Sequence, residues 1–321
     1  MNWDPSSLLL LVITWTVTGT IVLLLTEWLT RSLARNAALR HLAWTFVFCG
    51  IFLMPLFQVP DSLADNCHGG SFSWFNVIIL GAWFAGTLFF LGRFILAWIQ
   101  LRSLRAHSSI FDSDLVDVAR RKSGVGARPG LEIRITHTDR PFAPITWGLW
   151  KEVVCLPKDA TDWSDTRLAA VLLHELGHVR RRDHLAQIFA FLICAVHWFN
   201  PIFWRAARKM EAEAEIAADD CAILSGIRPS TYAAELLQLA SKLAPQRRTM
   251  TMVETSMVKT SSVENRIHSI IDPASPRGRI GFWRAAFLKS LVLLLLLSAG
   301  FSMRSLNPSP KEPACLPQIV P

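Results

Sequence analysis

Four stretches of this chain are long, apolar and almost without charge, and they narrow the possible folds more than any other feature. Residues 7–26, 42–59 and 72–92 contain no charged side chain, and 285–303 contains only Lys289, whose amine can reach the interface along its own stem. Each stretch can cross about 30 Å of hydrocarbon as a helix, 42–59 only just. The composition agrees, with 51% hydrophobic and 18% charged residues, a balance unusual for a water-soluble globule. The first stretch reads as a retained span, because Met1 to Pro5 supply no basic head and the apolar run is too long for the core of a signal peptide.

Basic residues set the expected orientation, since short cytoplasmic loops carry an excess of Lys and Arg. Arg31, Arg35 and Arg40 follow the first span, whereas 60–71 has Asp61 and Asp65 and no Lys or Arg. The N-terminus is therefore expected outside and 93–289 inside the cell. The net charge of +8 does not point to nucleic acid, because the basic residues gather beside the spans: Arg102 and Arg105, Arg180 to Arg182, Arg205, Arg208 and Lys209, and 277–284. Attraction to anionic lipid explains them, so the bilayer is an expected partner and nucleic acid is not. None of the six cysteines forms a C-x-x-C pair. Cys67 and Cys315 alone fall in segments expected outside, where a disulfide between them is possible chemistry.

Between the third and fourth spans the pattern changes. Residues 100–123 mix apolar and charged positions at helical spacing and are predicted to lie along or below the membrane surface, until the glycines of 124–130 break them. Residues 131–136 alternate with period two, and 145–149 and 153–156 are apolar runs split by Trp150-Lys151-Glu152, which predicts a small sheet with a hairpin. Ser164 is a plausible N-cap for a helix over 168–181, and a second helix begins near Trp204. Residues 245–262 have no clear period and read as a linker, and the tail beyond Met303 has five prolines in eighteen residues.

The chemistry lies in His174-Glu175-Leu176-Gly177-His178. Two histidines four apart project from one face of a helix and can grip one metal ion, with Glu175 turned toward the same cleft as general base. Unpaired, these three would be costly in the apolar run 168–179. A catalytic zinc needs a third protein ligand and an open position. Glu215 and Asp219, four apart downstream, are the candidates: Glu215 as ligand and Asp219 as acceptor for the free ring N–H of a ligating histidine. Periodicity alone does not choose Glu215 over Glu211, and Glu213 and Asp220 also stand nearby. His197 reads as a hydrogen-bonded core histidine, and the arginines 180–182 as a basic patch at lipid head groups.

An ordered series of motifs goes further. Pro144-Ile-Thr-Trp-Gly148, Leu156-Pro157, the zinc motif, Arg181-Arg-Asp-His184, His197-Trp-Phe-Asn-Pro201 and Glu215-x-x-Ala-Asp219-Asp220 resemble the antirepressor metallopeptidases, the family of bacterial beta-lactam sensor-transducers. The resemblance runs over almost the whole chain except its last twenty residues. It implies zinc held by His174, His178 and Glu215, Glu175 as general base, Asp219 behind a histidine, and a cytoplasmic protease that cuts a transcriptional repressor. Ala218 stands where many relatives have cysteine and Glu152 where proline is common, and no external penicillin-binding domain is expected. A heat-shock or CAAX-type membrane protease of protein quality control shares the zinc motif but not the preceding Thr-Trp-Gly and Leu-Pro segments. A non-enzymatic signalling scaffold would have no need of Glu175.

The expected architecture is thus a mainly α membrane protein with about four transmembrane helices and a zincin-like α+β metallopeptidase domain. Its parts are a three-span region over 1–99, the cytoplasmic protease over 100–283, and the last span with a short external tail over 284–321. One apolar stretch, 185–204, is expected not to cross. Crossing would put His174 and His178 on one side of the membrane and Glu215 on the other, out of reach of one ion. Both of its flanks are also basic.

Overall fold

The computed structural model describes residues 5–33, 36–57, 74–126, 128–138, 143–243 and 263–277. The predicted fourth span, the external loop 60–71, the linker 245–262, and Cys67 and Cys315 lie outside these residues.

Two described helices are long and apolar enough to cross a membrane: α1 (Pro5–Leu33) over Leu8–Ser32, and α3 (Trp74–Ala106) over its whole length. In α1 the hydroxyls of Thr14, Thr16, Thr18, Thr20, Thr26 and Thr30 each donate to the carbonyl four residues earlier at 2.7–2.9 Å, so none needs water. The second predicted span differs. α2 (Ala37–Leu53) has 17 residues, about 26 Å of helix, and packs against protein: Trp44, Val47, Phe48 and Ile51 share a core with Ala190, Ile193, Phe203 and Met210. Of the three predicted spans that fall among the described residues, two are thus long and apolar enough to cross, and α2 is shorter and packed by its neighbours.

α3 runs without a break through position 99 to Ala106. The single surface helix expected over 100–123 is instead the end of α3, a short strand β1 (Ser108–Ile110), and α4 (Asp114–Ser123) closed by Gly124 in the left-handed region. A three-residue edge strand has too few positions to show a period. β2 (Glu132–Thr136), β3 (Ile145–Trp147) and β4 (Val153–Leu156) complete a sheet in the order β1-β2-β4-β3, with β2 and β4 parallel and the outer pairs antiparallel. Ile133 and Ile135 of β2 face the core, while Glu132 and Arg134 pair on the other face. β4 is buried on both faces: Val154 and Leu156 pack under the next helix, and Val153 and Cys155 meet Leu101 of α3 and Trp147.

That next helix, α5 (Asp165–Arg181), starts at the expected cap, with the Ser164 hydroxyl accepting from the Arg167 N–H. It ends at Arg182, whose left-handed backbone (φ 56°, ψ 41°) turns the chain directly into α6 (Asp183–Val196), at a cost of about 1–2 kcal/mol for a side chain bearing Cβ. α6 stops after 14 residues. Asn200 then caps α7 (Pro201–Leu224), and α8 (Pro229–Leu243) and α9 (Val263–Ile271) close the described fold. The apolar stretch 185–204 is therefore a helical hairpin. Its flanks touch, for Arg181 donates to the carbonyls of Ala214 and Ala217 at 3.0 and 2.9 Å. His197 is fully buried at the bend, its Nδ1 3.0 Å from the Ile193 carbonyl and its ring stacked on Phe203.

This hairpin makes a topological prediction. In a chain stripped of its other cysteines, Arg182→Cys and Arg208→Cys, both exposed positions, should react with an impermeant thiol reagent only from the cytoplasmic side. Labelling of the two from opposite sides would overturn the hairpin.

Candidate active site

The site forms where α5 crosses α7. Gly177 makes the close approach possible: a Cβ there would lie 3.1 Å from the Cys221 Cβ and 3.4 Å from the Ala218 Cα. Ala214, Ala217, Ala218 and Ala222 keep the facing stripe of α7 equally thin. With the backbones this near, Glu215 reaches the two histidines of α5.

His174, His178 and Glu215 each present a ligand atom, all within 4.8 Å of one another. The Nε2 atoms of the histidines are 3.2 Å apart, and the Glu215 carboxylate oxygens lie 3.5 Å from each. The far ring nitrogens decide what this contact means. His178 Nδ1 is 2.7 Å from Asp183 Oδ2, and His174 Nδ1 is 3.0 Å from Asp219 Oδ1 and from the Tyr232 hydroxyl. Burial raises the proton affinity of both aspartates, but Arg181 and His178 hold Asp183 at about 2, and Arg266 and His174 hold Asp219 at about 2. Both are therefore carboxylates that can only accept, so each Nδ1 must donate. That leaves two Nε2 lone pairs facing one another beside an anionic oxygen.

Such a set repels itself unless a cation sits in it. Ligand bonds of 2.0–2.1 Å at tetrahedral angles would separate ligand atoms by about 3.3 Å, close to what is seen, so the residues fit a zinc-like ion. The same acceptors favour positive charge on the His174 ring. Burial disfavours a charged His174, yet hydrogen bonds to Asp219 and Glu215 prevail and push it up to about 9. Glu215 is held well below the usual carboxylate range, burial notwithstanding, by Arg266 and the two histidines.

Glu175 is buried beside this cluster and outside it. Its Oε2 accepts from the Thr146 hydroxyl of β3 at 2.6 Å. The rival carboxylates have other partners or positions: Glu213 pairs with Arg40 at 2.8 Å, Asp220 faces Arg277 at 3.4 Å, and Glu211 lies outside the cluster.

Three supporting residues escaped the sequence reading. Asp183, which the sequence showed only within the Arg181-Arg-Asp-His184 motif and without a role, holds His178, and Arg181 holds Asp183 while Arg180 donates to the Ser123 carbonyl. Arg181 is thus an internal strut, which corrects its assignment to lipid head groups, while Arg180 and Arg182 remain exposed. Tyr232, the single tyrosine of the chain, donates to Asp219 at 2.7 Å. Arg266 of α9 reaches both Asp219 and Glu215. No motif spacing marked either Tyr232 or Arg266, since they come from helices that reach the site only in three dimensions.

Residues 62–270, which contain every one of these groups, match the BlaR1 peptidase M56 family. The regulatory protein BlaR1 of Bacillus licheniformis is 31% identical over 182 residues, 54% of this chain and 29% of that protein. The methicillin resistance mecR1 proteins of Staphylococcus aureus and Staphylococcus epidermidis are each 25% identical over 165 residues, half of this chain and 28% of theirs. The matched stretches thus span less than a third of these relatives. With the family match covering well over half of its length, the chain belongs to the BlaR1 peptidase M56 family.

Proposed function

We propose that this protein is a zinc-dependent membrane endopeptidase that passes on an external signal by cutting a cytoplasmic transcriptional repressor. The observation that carries the peptidase reading is the pair of histidine Nε2 atoms facing each other beside Glu215, each histidine locked in its tautomer by a carboxylate behind it. The regulatory reading is supported by the likeness to proteins named for regulation and for methicillin resistance.

His174, His178 and Glu215 would hold the ion, which when bound supplies a Lewis acid and a water acidified toward neutrality. The rest falls to the chain itself. Thr146 fixes one oxygen of Glu175 and leaves the other to take the proton of the attacking water and hand it to the departing amine. Asp183 and Asp219 keep the histidine lone pairs directed inward. β3 pairs only with β4 among the described strands, so its outer edge can bind an extended substrate by backbone hydrogen bonds, and Thr146 brings that edge to Glu175.

The test is cleavage by the full chain in lipid nanodiscs, offered a winged-helix repressor encoded beside its gene. Fragments should appear with zinc, vanish after chelation and return when zinc is restored. Cleavage that survives complete removal of metal would overturn the metallopeptidase reading. An intact repressor alongside efficient cutting of misfolded membrane proteins would instead support the quality-control alternative.

A further inference from the structure

Arg266 lies 47 residues beyond Asp219, outside all the motifs above, yet it makes the densest set of ionic contacts at the site. Its Nε and Nη2 donate to Asp219 Oδ2 and Oδ1 at 2.8 and 2.7 Å, and its Nη1 is 2.8 Å from Glu215 Oε2. The side chain is only 11% exposed. Burying a guanidinium is costly unless its geometry is well satisfied, and here all three nitrogens face carboxylate oxygens.

The pattern of those bonds is selective. Glu215 and Asp219 stand one helical turn apart on α7, two desolvated like charges that would push each other aside. Arg266 bridges them. It grips both oxygens of Asp219 but one oxygen of Glu215, while Oε1 faces His178 Nε2 at 3.5 Å. The Asp219 it grips is the one behind His174. One side chain therefore ties a proposed metal ligand to the carboxylate that orients another.

We infer that Arg266 is a positioning residue of the metal centre. Docking of α9 sets the Glu215 carboxylate and locks it in register with Asp219, so the ligand set is complete only while α9 is in place. This rests on the reading of His174, His178 and Glu215 as metal ligands. A guanidinium near a metal ion also repels it, but the fork to Asp219 largely cancels that charge, and orientation is what remains. Outer partners of this kind are worth about 10–100-fold in metal affinity.

The test compares the full chain in nanodiscs with Arg266→Ala and Arg266→Lys, reading zinc affinity by competition with a chelating dye and the ligand field by the visible spectrum of the cobalt form. Arg266→Ala should bind zinc about 10–100-fold more weakly, with an altered cobalt spectrum and an unchanged helical circular dichroism signal. Millimolar guanidinium should restore much of the affinity, and sodium at the same concentration should not. Arg266→Lys keeps the charge and is the control should the alanine variant fail to fold. One ammonium cannot bridge two carboxylates in a plane, so lysine should weaken binding as well. Wild-type affinity and spectrum in either folded variant would overturn the inference. An unaltered chain that binds no zinc defeats the ligand assignment itself, whereas one that binds and cleaves beside an equally tight Arg266→Ala defeats only the role of Arg266.

Discussion

Glu175→Ala should keep its zinc and lose about 10²–10⁴-fold in the rate of peptide cleavage, the range a general base contributes. The two effects separate because Glu175 lies beside the cluster of His174, His178 and Glu215 and not in it. Its partner is the Thr146 hydroxyl, and removing the carboxylate leaves that hydroxyl free to bind water at the cleft. Metal analysis of the purified variant, paired with initial cleavage rates at saturating substrate, checks both halves. Full cleavage by Glu175→Ala would mean that another group takes the proton, and the mechanism would have to be rebuilt around it.

His174→Ala should lose metal and cleavage together. Zinc held by a full protein ligand set is bound by about 10–16 kcal/mol, so one of three protein ligands is worth roughly 3–5 kcal/mol, or about 10²–10⁴-fold in affinity on that scale. Asp219 would lose an acceptor role but retain Tyr232 and Arg266, so the fold around α7 should hold. Zinc content after dialysis against a weak chelator, beside the thermal unfolding midpoint, distinguishes loss of ion from loss of structure. A variant that keeps stoichiometric zinc would remove His174 from the ligand set, and its failure would not resemble that of Glu175→Ala.

The parts of this site that could be read from sequence are those confined to one helix. His174, Glu175 and His178 announce themselves by spacing on α5, and Ser164 marks where that helix begins, whereas on α7 the motif series was needed to choose Glu215 over Glu211 and the Asn200 cap lies four residues before the predicted start near Trp204. What spacing cannot show is which helix faces which. Gly177 carried the answer in part, since a glycine inside an apolar helix signals close approach, but not the identity of α7 as its neighbour. Arg181 had a plausible use at lipid head groups and turned out to face inward, because a charge beside an apolar run looks the same whether lipid or a carboxylate receives it. The partners of α2 were hidden for a related reason: it packs against α6 and α7, which lie far along the chain. Tyr232 and Arg266 contribute one polar group each from helices whose other duties are packing.

The site's residues also leave the ribosome in a definite order. Thr146 comes first, then the α5 histidines, then Glu215 and Asp219, with Arg266 last and 47 residues behind Asp219. At about 5–20 residues per second that gap is roughly 2–9 s of synthesis. Throughout it a nascent chain holds two neighbouring carboxylates with no guanidinium between them, and such pairs resist desolvation together. On the role inferred for Arg266, the cleft stays incomplete until translation nears the last predicted span, so a half-made chain in the translocon carries no finished protease among the other nascent proteins around it.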